Sequence, residues 1–250
     1  MEENKRKVVK KAVIVLALIL LMMVIGFFII KYETEGEIQM PFKLTKIMVI
    51  STADGTLKDD STISVTQCND LYISIEKNPE YTTKSKINNI YIENIKVMAE
   101  PARGRVEFYR PSAEGTSVYV YNSDLLLDGS ITYSGDSQTS LKNLTISNQG
   151  GTISFRTCVR DIGEIPVNAE ENEKEIGYSN DGTLLEKAQV TVSEIRYNMG
   201  FDIIIELSDG KMYKGYVNIS LPIEDVEKNG VKGVEQADVE KVVFKRIKIK

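Results

Sequence analysis

An uninterrupted apolar segment near the amino terminus constrains the fold of this chain more than any other feature. The nineteen residues from Ala12 to Ile30 include no charged or hydrogen-bonding side chain. A helix of that length spans about 28 Å, close to the thickness of the hydrocarbon core of a bilayer. A core helix of a soluble protein would keep a polar face toward water, and this segment has none. We therefore predict a single transmembrane helix, with the lipid bilayer as a partner.

The charges on either side of this segment predict its orientation. Five basic residues precede it and only Lys31 follows it directly. Because Lys and Arg near a span stay on the cytoplasmic side, we expect a cytoplasmic amino terminus and an extracytoplasmic carboxy-terminal domain. A cleaved signal peptide is the alternative, but its apolar stretch is usually only about 7 to 15 residues long and ends in small residues. Here bulky residues occupy positions 27–32, which favours an uncleaved signal anchor in the cell membrane.

Composition excludes several classes of function for the remaining 219 residues. Residues 32–250 carry 25 of the 31 basic and 34 of the 36 acidic side chains, a formal net charge of −9. An acidic domain repels nucleic acid, so we expect no nucleic-acid partner. The chain contains no His, which removes Ser-His-Asp catalysis and the usual His-rich zinc sites. We predict no cofactor.

The chain contains two cysteines, Cys68 and Cys158, both in the region predicted to be extracytoplasmic. An even pair in an oxidising compartment is able to form a disulfide. Two separate buried thiols explain the pair equally well, because Cys is among the most buried residue types. The sequence leaves both alternatives open.

From Pro41 onward the sequence is typical of strands separated by turns. Short segments rich in β-branched and aromatic residues alternate with period two, as expected for half-buried strands. They lie at 42–50, 71–75, 90–92, 95–97, 106–108, 118–121, 131–133, 144–146, 153–155 and 242–249. We predict a mainly β chain with an antiparallel β-sandwich-like domain. Its organisation is a cytoplasmic tail (1–11), a transmembrane helix (12–30), a linker (31–40) and one extracytoplasmic β domain (41–250).

The strongest hairpin signal lies between Phe201 and Val217. Two alternating segments flank Ser208-Asp209-Gly210-Lys211, and Asp-Gly favours a tight type I′ turn. Further turn signals are Asp54-Gly55, Asp128-Gly129, Asp181-Gly182 and Asn229-Gly230. Short helical turns are predicted at 183–188 and 234–241, and a long acidic loop at 164–187.

Residues that carry chemistry are scattered rather than arranged in a motif. Asp54 with Asp59 and Asp60 lacks the spacing of a calcium loop, and turn chemistry explains these residues equally well. An Arg- and Tyr-rich patch, Arg103, Arg105, Tyr109 and Arg110, stands out within the acidic domain. Such a patch binds acidic or carbohydrate ligands through charge and stacking, although ordinary loop chemistry beside a strand also explains it.

The segment from Gly36 to Leu44, followed by residues 46–51, resembles the opening of a group of uncharacterised bacterial single-pass membrane proteins. Residues 142–148 are similar as well. The resemblance implies a bacterial envelope setting and carries no activity with it.

These observations favour a non-enzymatic binding or structural module of the cell envelope. We expect it to contact envelope proteins or cell-wall polymer. The alternative is a membrane-tethered hydrolase of cell-wall glycan or peptide that uses two carboxylates or a Ser-Lys pair.

Overall fold

The computed structural model describes most of the chain, namely residues 2–34, 40–59, 61–79, 81, 84–113, 118–122, 129–135, 144–167, 183–222, 231–235 and 242–247.

A single long helix, α1 (Glu2–Thr34), contains the apolar segment. Its stretch Val9–Ile29 is long and apolar enough to cross a membrane, and none of it is buried against the rest of the protein. The helix extends beyond the predicted span on both sides, since the flanking Lys, Arg and Glu residues are themselves good helix formers.

The described residues after the helix form eleven strands and two short helices. The first seven strands are β1 (Phe42–Asp59), β2 (Thr62–Lys77), β3 (Ile87–Ala99), β4 (Arg105–Pro111), β5 (Tyr119–Tyr121), β6 (Ile131–Ser134) and β7 (Gly150–Pro166). They are followed by α2 (Leu184–Lys187), α3 (Val192–Ile195), β8 (Tyr197–Leu207), β9 (Met212–Leu221), β10 (Val231–Glu235) and β11 (Lys245–Ile247).

The strands described here form two antiparallel sheets. The large sheet has the order β10-β1-β2-β7-β4-β5, and the small sheet has the order β11-β9-β8-β3-β6. One face of each sheet is apolar and fully buried, as in a sandwich. Phe155 of the large sheet and Phe201 of the small sheet meet edge to face with ring centroids 5.3 Å apart. The prediction of a mainly β, sandwich-like fold behind an apolar helix is confirmed.

A buried polar network also joins the two sheets. The Tyr197 hydroxyl of β8 accepts a hydrogen bond from Asn69 Nδ2 of β2 (3.2 Å) and bonds the Thr157 hydroxyl of β7. Asn69 Oδ1 in turn accepts from Ser51 Oγ of β1 (2.6 Å). Burial raises the pKa of Tyr197, and this effect outweighs the lowering of the pKa by the hydrogen bonds with Thr157 and Asn69. Such a network sets the position of one sheet over the other, because displacing the sheets would leave buried polar groups unpaired.

The predicted hairpin between β8 and β9 is confirmed, but the predicted type I′ turn is wrong. Within this turn only Gly210 has a positive φ (80°), whereas both central residues of a type I′ turn need one. Leu207 N donates to Lys211 O (2.8 Å), and Gly210 N donates to Leu207 O (2.9 Å). The connection is therefore a three-residue loop with glycine in the left-handed position.

Other local predictions are also corrected. Asp54-Gly55 is not a turn: it lies within β1, where Asp54 pairs with Thr66 and Gly55 with Val65 of β2. The predicted strand at 144–146 is only an isolated bridge between Thr145 and Ser134, because the chain turns at once into β7. Of the predicted carboxy-terminal strand at 242–249, residues 242–244 are not in a strand and Lys245–Ile247 form β11, while residues 248–250 lie outside the described part.

The remaining predictions are only partly covered. A helical turn at 183–188 is confirmed by α2, with Thr183 and Ala188 as its caps. At 234–241, Val234 and Glu235 belong to β10 rather than to a helix. The predicted acidic loop at 164–187 is wrong at both ends, because Glu164–Pro166 belong to β7 and Leu184–Lys187 to α2, and residues 168–182 lie outside the described residues. The turn signals at Asp128, Asp181-Gly182 and Asn229-Gly230 lie outside the described residues.

Candidate functional site on the outer face of the large sheet

The solvent side of the large sheet carries a row of charged and aromatic side chains across four strands. We call it the large-sheet outer face. Successive residues of a strand point to opposite sides, so the register fixes which positions share this face. Asp70 lies opposite Arg156, which lies opposite Tyr109, which lies opposite Tyr121. The next row contains Cys68, Cys158 and Glu107.

A disulfide joins Cys68 and Cys158 in the middle of this face. The two residues are direct neighbours in the β2–β7 register, and both are almost completely buried. The bridge thus ties the two central strands of the large sheet together and closes a loop with a sequence separation of 90 residues. Of the two alternatives for the cysteines, the structure contains the bridge.

Arg156 is held by a two-point ion pair. Its Nε lies 2.5 Å from Asp70 Oδ1, and its Nη2 lies 2.9 Å from Asp70 Oδ2. The hydrogen bonds that Arg156 donates to Asp70 raise the pKa of Arg156. The guanidinium also lies 4.7 Å from the centre of the Tyr119 ring, which adds a cation–π contact. Charge and aromatic surface are therefore fixed in one place on the sheet.

Glu107 organises the next part of the face. Its Oε1 accepts a hydrogen bond from Arg105 Nη2 (2.7 Å), and its Oε2 accepts one from the Tyr109 hydroxyl (2.8 Å). Burial and this hydrogen bond raise the pKa of Tyr109 to about 12. The Tyr109 ring packs against Tyr121 with centroids 5.5 Å apart. Arg160 Nε lies 3.9 Å from the same carboxylate.

The predicted Arg- and Tyr-rich patch is divided by the fold. Arg105 and Tyr109 share the large-sheet outer face and meet through Glu107. Arg110 follows Tyr109 directly in β4, so its side chain starts from the other side of the strand. Arg103 precedes β4, where its Nη1 donates to the carbonyl of Gln189 (3.1 Å). The alternation of side chains along a strand is enough to separate Arg110 from Arg105 and Tyr109. The contact between Arg103 and Gln189 is visible only in the tertiary structure.

A cleft of about 310 Å³ opens where β1, β2 and β7 run together at one end of this face. Three hydroxyl side chains line it, from Thr56 of β1 and from Ser64 and Thr66 of β2. The exposed side chain of Leu57 supplies apolar surface. The volume is at the lower end of the range of about 300–1,000 Å³ for small-molecule sites.

Charged residues of both signs complete the lining. Lys58 Nζ lies 2.5 Å from Glu164 Oε1 across the cleft. Arg160 and Asp161 are exposed on the opposite strand, and Arg105 Nη2 lies 4.0 Å from Asp161 Oδ2. The Lys58–Glu164 pair raises the pKa of the lysine through its hydrogen bond. The cleft therefore offers hydrogen-bond donors and acceptors together.

Irregular backbone shapes this lining. Between the pairs Val65–Gly163 and Gln67–Val159, β7 contains two more residues than β2. This bulge includes Arg160 and Asp161, and Asp161 has a φ of 59°. Bulges redirect side chains and are frequent beside functional sites. Gly163 lies at the end of the bulge, where a Cβ would come within 3.0 Å of Ala188.

The three aspartates considered as a calcium site, Asp54, Asp59 and Asp60, do not form one in the described residues. Asp59 Oδ1 accepts hydrogen bonds from Ser61 N (2.9 Å) and Ser61 Oγ (2.8 Å), which is turn chemistry. Asp54 belongs to β1, and Asp60 lies outside the described residues. Within the described part of the chain, no group of three or more His, Cys, Asp or Glu side chains is placed to hold a metal ion.

Sequence reasoning missed the cleft because its lining comes from three separate segments. Residues 56–58, 64–66 and 160–164 meet only through the pairing of β1, β2 and β7. No spacing in the sequence links them. The one local signal is the polar stretch Arg160-Asp161, which interrupts an otherwise alternating strand.

Comparison with known proteins adds no assignment. No protein family, curated protein or solved structure matches the chain. The resemblance of residues 36–51 and 142–148 to uncharacterised single-pass proteins stays a prediction.

Proposed function

We propose that this chain is a membrane-anchored, extracytoplasmic binding module of the cell envelope and that it has no catalytic role. The observation that carries the proposal is the large-sheet outer face, where charged, aromatic and hydroxyl side chains converge beside a cleft. The helix α1 supplies the anchor, and the predicted partners are envelope proteins or cell-wall polymer.

The disulfide supports the extracytoplasmic side of the proposal. Bridges persist in oxidising compartments and are rare in the cytosol. The Cys68–Cys158 bridge lies in the carboxy-terminal domain. The excess of positive charge before the apolar segment predicts that this domain is extracytoplasmic. Two independent lines of reasoning, one from redox chemistry and one from charge, thus favour the same orientation.

Thiol labelling of intact cells tests the orientation. Thr132→Cys places a single free thiol on an exposed strand position, and Lys7→Cys places one before the apolar segment. A membrane-impermeant maleimide should label the Thr132→Cys chain in intact cells and the Lys7→Cys chain only after permeabilisation. The reverse pattern would overturn the proposed topology.

Co-sedimentation tests the binding role. Full-length protein in lipid nanodiscs is mixed with insoluble envelope material, and the bound fraction is measured against empty nanodiscs. Retention of the protein, without release of soluble glycan or peptide fragments, is the expected result. Release of fragments would replace the proposal with the hydrolase alternative, and the absence of retention would remove the binding role.

A further inference from the structure

The cleft at the end of β1, β2 and β7 has a lining whose chemistry specifies a class of ligand. We propose that it is a saccharide subsite that takes an uncharged, hydroxyl-rich sugar. The inference rests on the proposed binding function and names the ligand for one part of the same face.

Charge balance selects the neutral ligand. Lys58 and Arg160 line the cleft together with Asp161 and Glu164. A polyanion would meet both carboxylates, and a polycation would meet both cations. A sugar hydroxyl both donates and accepts, so it is able to bond a carboxylate and a cation of the same wall. The net charge of −9 on residues 32–250 adds a long-range penalty for anions.

The rest of the lining fits the same ligand. Thr56, Ser64 and Thr66 add neutral donors and acceptors, and the exposed Leu57 offers apolar contact to the C–H face of a sugar ring. These groups lie on strands rather than on flexible loops, which keeps their geometry fixed before binding.

The surface beyond the cleft is able to bind further units of a longer saccharide. Arg105 Nη2 lies 4.0 Å from Asp161 Oδ2 of the cleft and 2.7 Å from Glu107 Oε1. Glu107 then holds Tyr109, which packs against Tyr121. Tyr121 is 52% exposed, so its ring is available for stacking against a sugar that extends along the face. We infer one subsite in the cleft and a second at the Tyr109–Tyr121 pair.

Binding to a defined panel of sugars tests this assignment. Full-length protein in detergent micelles is titrated calorimetrically with neutral hexoses and N-acetylhexosamines, as monomers and as oligomers of up to six units. Inorganic polyphosphate serves as the anionic comparison. At least one neutral sugar series should bind, with affinity rising with chain length, and polyphosphate should not. Binding of polyphosphate alone, or of nothing in the panel, would overturn the inference.

Two variants separate the subsites. Arg160→Ala should weaken binding of monomers and oligomers by about tenfold or more, since hydrogen bonds from a charged donor are lost. Tyr121→Ala should weaken only the oligomers. The matched control Arg196→Ala removes an exposed arginine at the end of α3, outside this face, and should change neither. Equal effects of Arg160→Ala and Arg196→Ala would contradict the assignment.

Blocking the cleft provides a second test that does not depend on charge. Thr56 is exposed and lines the cleft, so Thr56→Trp should fill it and abolish sugar binding. Thr132→Trp is the matched control on the small sheet. If both variants bind sugar normally while the protein still co-sediments with envelope material, the saccharide assignment fails and the binding function stands. If the protein retains no envelope material, the proposed function itself fails.

Discussion

The solvent faces of the two sheets differ in how they use similar polar residues. On the small sheet, Glu206 Oε2 accepts from the Tyr91 hydroxyl (2.6 Å) and Asn89 Nδ2 (2.8 Å), and its Oε1 accepts from Asn88 Nδ2 (2.9 Å). These bonds tie β8 to β3. On the large sheet, carboxylates pair mainly with guanidinium groups. A guanidinium has five N–H donors, and a single carboxylate usually accepts from only some of them, so donors are left over.

A second contrast concerns accessible space. Tyr216 covers the small-sheet face at Gly200, because its hydroxyl lies so close to this glycine that a Cβ there would clash with it. The large-sheet face has instead the cleft beside Arg160. Polar side chains on one sheet thus serve mainly strand pairing, and those on the other leave donors and a cavity available to a ligand. This difference is why we propose the large-sheet outer face, rather than the small-sheet face, as the binding surface.

The disulfide should give the largest effect on stability. Replacing both Cys68 and Cys158 by Ala removes a cross-link over a 90-residue separation, and the free energy of unfolding should fall by about 2–5 kcal/mol. Urea unfolding in detergent, followed by circular dichroism, measures the change. Dithiothreitol should destabilise the original protein by a similar amount and leave the double variant unaffected. Equal stability of the two proteins would show that the bridge does not support the large sheet.

Removing one carboxylate from each face should cost more on the small sheet. Asp202 is buried and accepts from Asn94 Nδ2 (2.6 Å) and Lys214 Nζ (2.8 Å). Asp202→Ala should lower stability by about 2–3 kcal/mol. Asp70→Ala should cost about 1–2 kcal/mol, since Arg156 is partly exposed and regains water. Thermal unfolding of the two variants makes the comparison. A larger loss for Asp70→Ala would contradict the structural role given to the small-sheet face.

The pH dependence of stability sharpens the role of Glu206. Burial raises its pKa, but the hydrogen bonds from Tyr91, Asn89 and Asn88 outweigh burial and hold the pKa below its ordinary value of 4.5. The ionised form therefore stabilises the fold above pH 4.5, and this contribution is lost as the pH falls through the lower folded-state pKa. Glu206→Gln should reduce stability by about 1 kcal/mol at pH 7.

Melting temperatures recorded between pH 3 and pH 7 test this sign. The difference between Glu206→Gln and the original protein should shrink toward the acid end of the range. A difference that grows as the pH falls would mean that the carboxylate is not stabilised by its three donors.

Arg160→Ala should have the smallest effect on stability. The side chain of Arg160 is 44% exposed, and its nearest described carboxylate oxygen lies at 3.9 Å. The change in unfolding free energy should stay within about 0.5 kcal/mol. Calorimetric unfolding of the variant checks this value. A large loss of stability would assign Arg160 to the fold rather than to a ligand.

The sequence predicted those parts of the fold whose residues are close together along the chain. Alternation predicted most strands, and Gly210 predicted the β8–β9 hairpin because the turn and its strands are adjacent. Asp54-Gly55 misled the prediction, since a local turn preference was overridden by pairing with Thr66 and Val65. Tertiary context decided there.

The site was less predictable than the fold. The sequence grouped Arg105 and Tyr109 with Arg103 and Arg110 by composition alone, and in the structure Arg105 and Tyr109 both donate to Glu107. The pairing of Cys68 with Cys158 depends on the β2–β7 register, which no spacing in the sequence specifies. The cleft depends in addition on the two extra residues of β7. Long-range register is thus the information that local pattern does not contain.

Site-specific photocrosslinking in living cells tests the assignment of the large-sheet outer face most directly. A benzophenone amino acid replaces Tyr121 on the large-sheet outer face, outside the cleft, or Thr132 on the small sheet, both exposed positions, in the full-length chain. After irradiation, the Tyr121 chain should shift to a higher-mass adduct with envelope material, and the Thr132 chain should stay unmodified. Adducts at Thr132 alone, or equal adducts at both positions, would contradict the account.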